Sequence, residues 1–260
     1  MYGILGGIYG ALLSVMNTFN SQLTTVYGNA GATVLIHAVG LLVLLPFAFT
    51  SWGRMKQRSP WYMFSGGLIG ILTVVFCNVS IAGIGVTANL VLMLLGQLAV
   101  STVIDHFGLF GTEKVRINGE RIVSLAVIAV GDLAMLLWPS ESAGDGTTSV
   151  VLAVVLALLS GLTMVMARLA NAALATRSGT GFSTVMNYVT GLAGSVVMLA
   201  CMGFKLNTAF PAQDVSWTIY LGGALGAVGI FLCNVVTPKL PTLEFTIIIF
   251  VGQIFAGMLL

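Results

Sequence analysis

Apolar residues run along this chain in stretches of roughly twenty, separated by short polar breaks. Spanning a hydrocarbon core of about 30 Å takes about 20 apolar residues in a helix, which also satisfies its own backbone hydrogen bonds. Read this way, the pattern predicts spans near 3–22, 31–50, 61–82, 86–104, 121–138, 148–170, 182–204, 216–237 and 243–260. Composition agrees with the pattern. With 58% hydrophobic residues, 7% charged and a mean hydropathy of +1.05, the chain cannot fold in water without exposing extensive apolar surface. The expectation is an all-α integral membrane protein.

A second regularity overlies the first. The segment Trp61 to Gly70 recurs as Trp217 to Gly226, with Trp61, Gly66, Gly67 and Gly70 matching Trp217, Gly222, Gly223 and Gly226. The same 156-residue offset joins Cys77-Asn78 to Cys233-Asn234 and Gly96-Gln97 to Gly252-Gln253. Earlier in the chain the offset is 151, where Gly10, Asn20, Gly28, Thr33, Val34 and Gly40 match Gly161, Asn171, Gly179, Thr184, Val185 and Gly191. The change between the two offsets falls between Gly40 and Trp61, where a loop absorbs it. Solenoid repeats run about 20 to 50 residues, so a period this long indicates duplication of a whole bundle half.

Residues 1–138 form the first five-helix repeat, 139–147 an external linker, and 148–260 the second repeat. Five is odd, so the copy enters the bilayer from the opposite face and lies inverted. Matching the halves sets Leu260 against Ile104, so the second half stops one helix short of the first. We read the chain as nine spans of a ten-helix parent, with a true nine-helix protein as the other reading. Arg54, Lys56, Arg58, Lys114, Arg116, Arg121, Arg168, Arg177 and Lys239 fall on the side of the N-terminus and Lys205 falls opposite, which places the N-terminus in the cytoplasm. Trp52, Trp61, Trp138 and Trp217 lie at span ends, where an amphipathic ring suits the headgroups. Met1-Tyr2-Gly3 has no positive n-region, so the first apolar run is read as a helix and not as a cleaved leader.

Gly-Gly at the start of the third span, Asn at its end and Gly-Gln in the fourth resemble the drug/metabolite transporter superfamily. Within it, Gly96-Gln97 followed by Ile104-Asp105-His106-Phe107-Gly108-Leu109-Phe110-Gly111 resembles the YdcZ-like branch of single or duplicated five-helix units. The resemblance covers nearly the whole chain and departs from the pattern in lacking the tenth helix and the second Asp-His-Phe-Gly loop. It implies a secondary transporter of the prokaryotic inner membrane, with a cavity between the halves and no assigned substrate.

The residues point the same way independently. Inverted repeats suit alternating access, because two equivalent halves can exchange conformations around a midplane site. No phosphate cradle for ATP is present, so coupling comes from a gradient or a partner. Amides at membrane depth are costly unless bonded, which makes Gln97, Gln253, Asn17, Asn20, Asn78 and Asn234 the candidate substrate-binding residues, with Asn89 and Asn171 beside them. Each has a structural reading too, as interhelical glue for the glutamines and as helix-end bonds for Asn78 and Asn234. Asp132, Glu244 and His37 are the ionisable candidates for proton coupling. Glycine pairs such as Gly3/Gly7, Gly6/Gly10, Gly66/Gly70 and Gly222/Gly226 predict close helix approach.

An amide-rich, charge-poor pathway suits a neutral, zwitterionic or amphiphilic small metabolite. The alternative is a non-transporting subunit that assembles with a partner chain. Enzyme chemistry finds no paired carboxylates, His-Glu metal motif or serine–histidine spacing. Cys77, Cys201 and Cys233 fall inside spans as free thiols, and the reading assigns no metal, no cofactor and no nucleic acid. Its partners are the solute, the lipid bilayer and a second copy in a homodimer.

Overall fold

The computed structural model describes residues 1–51, 59–137, 149–203 and 216–259, and for 47–51, 120–121, 124, 128, 132–133 and 135–137 the backbone alone. The linker 139–147, together with Trp52, Trp138 and Lys205, lies outside these described residues. Among them the structure is helical throughout: α1 (Tyr2–Ser51), α2 (Gly66–Phe107), α3 (Gly119–Leu137), α4 (Val150–Ser178), α5 (Thr180–Cys201), α6 (Leu221–Val236) and α7 (Thr242–Gly257). Five stretches are long and apolar enough to cross a bilayer: Tyr2–Pro46, Trp61–Phe107, Val150–Ser178, Thr180–Cys201 and Trp217–Lys239. The shorter α7 is apolar as well.

Two of these stretches are far longer than one crossing requires. At about 1.5 Å per residue, α1 would measure roughly 75 Å against a hydrocarbon core of about 30 Å. It is broken at Gly28, whose φ of 72° and ψ of 167° lie outside helical space, and α2 is broken at Gly85 with φ 80° and ψ 169°. Positive φ strains any residue with a Cβ, so glycine is the residue these bends need. Gly179, the repeat counterpart of Gly28, makes the same bend between α4 and α5 with φ 91° and ψ 148°. A second device is also used twice. A 3₁₀ turn, Trp61–Ser65 after Pro60 and Trp217–Tyr220 after Ser216, leads into α2 and α6.

The chain separates into two compact bodies, one of Met1–Leu68, Ala167–Leu240 and Ile247–Leu260, the other of Ile69–Met166 and Pro241–Thr246. Among the apolar clusters inside the first body, two mirror each other. One joins Leu23, Ala32 and Ile219, with Leu35 and Tyr220 packed on it; the other joins Met63, Leu174 and Phe182, with Phe64 and Met186. Leu23, Leu35, Ile219 and Tyr220 are the repeat counterparts of Leu174, Met186, Met63 and Phe64. The same cluster is therefore built twice, with the halves trading roles.

Glycine contacts repeat this exchange. A Cβ at Gly66 would overlap the Asn171 amide, and one at Gly222 would overlap that of Asn20. At Gly67 it would strike the Asn187 carbonyl, and at Gly223 the Ile36 carbonyl. Gly40 lies against the Tyr188 ring and Gly191 against the His37 ring. Gly10 meets the backbone of Ile249 and Gly252 in the first body, and Gly161 meets that of Met93 and Gly96 in the second. Not every glycine in the expected pairs is used this way, since a Cβ at Gly7 or Gly70 would meet nothing within 4 Å.

Candidate functional site

The first body encloses a network of amides and hydroxyls that begins on α4 and α5. These helices are joined by the tight bend at Gly179, which sets Asn171 opposite Ser183 and Asn187. The Asn171 Nδ2 donates to Asn187 Oδ1 at 2.8 Å, and the Ser183 hydroxyl donates to the Asn171 carbonyl at 2.6 Å. From α6, Asn234 Nδ2 donates to Ser183 Oγ at 3.4 Å and to Thr184 Oγ1 at 3.2 Å. Such bonds satisfy groups that would otherwise be costly at membrane depth. One atom remains over: Asn234 is 1% exposed, and its Oδ1 accepts no hydrogen bond.

Across the same body, Asn20 faces Gly222 with a buried Oδ1 that likewise accepts nothing. Its counterpart Asn171 gains Asn187 as partner, but Ile36 occupies the matching position beside Asn20. The difference between the two amides therefore comes from one residue of the repeat.

His37 and Tyr188, repeat counterparts of each other, pack ring against ring at 5.6 Å. Nδ1 of His37 lies 2.8 Å from the Thr33 carbonyl, and the Tyr188 hydroxyl donates to the Gly223 carbonyl at 3.2 Å. This contact fixes both rings. His37 is thus a structural element of the body's centre as well as an ionisable group at depth.

The other expected residues fall in different settings. Asn17 is exposed on α1, and Gln253 is half-buried on α7 in the first body. Gln97 is buried in the second body, where Gly161 approaches its backbone, while Asn78 is half-buried there and Asn89 is buried with an unbonded Oδ1. Glu244 is exposed in the first turn of α7, a position where a carboxylate suits the helix N-terminus. The side chain of Asp132 lies outside the described residues. Asp105 is fully buried, and its two carboxylate oxygens accept from the backbone N–H of Thr242 at 2.8 Å and of Leu243 at 2.9 Å, capping α7.

The model of a protein family described as "Putative inner membrane exporter, YdcZ" matches residues 1–134 and 152–260. The chain belongs to the YdcZ family. No curated protein and no solved structure matches it. As a YdcZ-family protein it is an integral inner-membrane protein built from apolar helices, of a family described as exporting and not as catalysing a reaction.

Two residues of this YdcZ-family chain escaped the reading of its sequence. Asn187 has no amide counterpart, so a search for residues shared by both halves passes over it. Arg168 was counted with the basic residues on the cytoplasmic side, although it falls inside the sixth span as drawn, 148–170. Helix α4 continues to Ser178 and leaves Arg168 only 7% exposed.

Proposed function

We propose that this YdcZ-family chain is a secondary-active exporter of a small organic metabolite. It works by alternating access between two inverted repeats, the first of five helices and the second, over residues 148–260, of four, with the N-terminus in the cytoplasm. The observation that carries this reading is the exchange of contacts between halves: Gly66 on Asn171 and Gly222 on Asn20, Gly67 on Asn187 and Gly223 on Ile36, Gly40 on Tyr188 and Gly191 on His37. Such pairing is expected where a local two-fold axis swaps the halves. Two equivalent halves can then trade conformations, opening a site first to one face and then to the other. The breaks at Gly28, Gly85 and Gly179 support nine crossings in place of fewer long ones.

Asn20, Asn171, Asn187 and Asn234 are the pathway residues this reading favours in the first body, with Gln97 and Asn78 serving in the second. Gln253 and Asn17 extend the polar surface toward the open ends. Of the ionisable candidates, His37 is best placed to couple a proton, since its ring sits on its own repeat counterpart where the halves exchange contacts. Glu244, being exposed, is the weaker candidate.

Topology is the sharpest test. In a background lacking Cys77, Cys201 and Cys233, a cysteine at Trp61 should react with an impermeant maleimide from the cytoplasmic face only, and one at Trp217 from the external face only. Both Trp residues are exposed at matched positions. Labelling of the two from one face would sink the inverted arrangement. Purified protein in liposomes should then move a solute from a broad metabolite panel, and a protein that moves none of them would favour a non-transporting subunit.

A further inference from the structure

Past the end of α2 the backbone makes a short closed loop. The Val115 N–H donates to the Asp105 carbonyl at 2.8 Å, while the Asp105 carboxylate holds the start of α7 through Thr242 and Leu243. Between these ties the chain turns through left-handed backbone at Gly108 (φ 65°), Phe110 (φ 58°) and Gly111 (φ 77°). Thr112 closes the turn on the Leu109 carbonyl, with its N–H at 3.2 Å and its hydroxyl at 2.8 Å. Glycine takes such a conformation freely, whereas a bulky side chain strains it. Phe110 is the one non-glycine residue with positive φ among the described residues. Its ring gains no burial in exchange, since Phe110 is 59% exposed, Phe107 62% and Leu109 41%. The fold therefore holds three large apolar side chains outward at a conformational cost.

Basic side chains stand beside them. Lys114 lies against the tip of the loop, its Cβ 3.2 Å from where a Cβ on Gly108 would be, and both Lys114 and Arg116 are exposed. Glu113 is the exposed carboxylate next to them; that of Asp105 is buried and bonded, so the exposed surface stays positive. Depth follows from the backbone. Irregular main chain does not occur against lipid inside the hydrocarbon core, so the loop lies at headgroup level, just beyond the span that α2 makes. At that level aromatic rings reach the acyl boundary, and lysine and arginine meet lipid phosphate.

We propose that the loop 107–117 is a docking surface for anionic phospholipid, with Phe107, Leu109 and Phe110 set among the acyl chains and Lys114 and Arg116 on the headgroup phosphate. Asp105 closes this loop with its carbonyl and caps α7 with its carboxylate, so a lipid seated here also steadies the start of α7. The surface stands whether or not the chain exports a solute.

Thermal unfolding of the full chain in neutral detergent, with phosphatidylglycerol or phosphatidylcholine added, tests it. A ligand that binds the folded state raises its apparent stability, so the anionic lipid should raise Tm at lower concentration than the zwitterionic one. Added salt should narrow that difference. In Lys114→Gln/Arg116→Gln the phosphatidylglycerol needed for half of the shift should rise about thirtyfold, each basic side chain at an anionic surface being worth about fivefold. Phe110→Gly suits the left-handed backbone, so without lipid it should unfold no lower than the wild type, and it should still lose most of the lipid shift. That variant keeps the test decisive if the double variant fails to fold. Glycerol phosphate, the headgroup anion without its chains, should give no shift. Equal shifts from the two lipids in the wild type, an undiminished shift in either variant, or an equal shift from glycerol phosphate would each overturn the proposal.

Discussion

Asn171 and Asn20 occupy equivalent places in the two halves, each lying on a glycine of the other half, yet they live in different chemistry. Asn171 rests on Gly66 and donates to Asn187, which fixes its amide. Asn20 rests on Gly222 beside Ile36, and its Oδ1 is buried without a bond. A buried acceptor left unbonded costs about 1–3 kcal/mol, whereas the bond that Asn187 adds in the second half is one accepted from the Asn171 Nδ2. The two pockets are alike in their glycine contacts, but one holds an amide bonded to Asn187 and the other an acceptor without a bond. An asymmetric pair of this kind is what a transporter needs if its two ends are to treat a solute differently.

The equivalence is most severely tested at the paired glycines beneath these amides. Gly67 and Gly223 abut backbone carbonyls, those of Asn187 and Ile36, which cannot move aside as a side-chain tip can. Gly67→Ala and Gly223→Ala should each destabilise by about 1–3 kcal/mol through overpacking, and by similar amounts. Thermal unfolding of the purified variants reads this directly. A large loss at one site with none at the other would show that the halves do not pack alike.

The chemical difference can be reversed by exchanging the residues that create it. Asn187→Ile should leave the Asn171 Nδ2 unbonded and cost about 1–3 kcal/mol. Ile36→Asn, with its amide turned so that Nδ2 donates to the Asn20 Oδ1, offers Asn20 the donor it lacks and should stabilise by roughly 0.5–1.5 kcal/mol, the net value of one hydrogen bond. If Ile36→Asn also slows efflux, the open acceptor of Asn20 belongs to the pathway. Destabilisation by Ile36→Asn would mean that the pocket cannot accept an amide and the comparison fails there.

How much of this was legible beforehand follows from the same pair. The repeat, the glycines that bend the chain and the positions of Asn20 and Asn171 were readable, because both halves carry them in register. Asn187 was not, since a match between halves is blind to the places where they diverge. Arg168 was passed over for another reason: with the span drawn to 170 it read as a basic residue near a cytoplasmic end, whereas the helix runs on to Ser178. Gln97 was chosen as the midplane twin of Gln253, yet the two sit in different bodies with different burial. Equal position in a repeat did not secure equal surroundings. Asp105 was legible only as part of the Asp-His-Phe-Gly motif, and its capping of α7 depends on contacts 137 and 138 positions away that no local pattern announces.

The smallest effect concerns the clusters that close over these pockets. Tyr27 and Tyr220 share a hydrogen bond, with ring centroids 6.3 Å apart. In the other half Phe64 stands for Tyr220 and meets Phe182 edge-on at 6.3 Å, with no hydroxyl. Tyr220→Phe therefore converts one cluster toward its twin. It should cost at most about 0.5–1.5 kcal/mol, since Tyr27 is half-buried and can take water or a headgroup as its new partner. Phe64→Tyr, the reverse change, introduces a hydroxyl where Ser178 replaces Tyr27 and should be near neutral if that serine accepts it. A loss well above 1.5 kcal/mol for Tyr220→Phe would mean that the tyrosine pair holds the 3₁₀ turn at Trp217–Tyr220 in place. The two clusters would then be alike in outline and different in purpose, as the amides beneath them are.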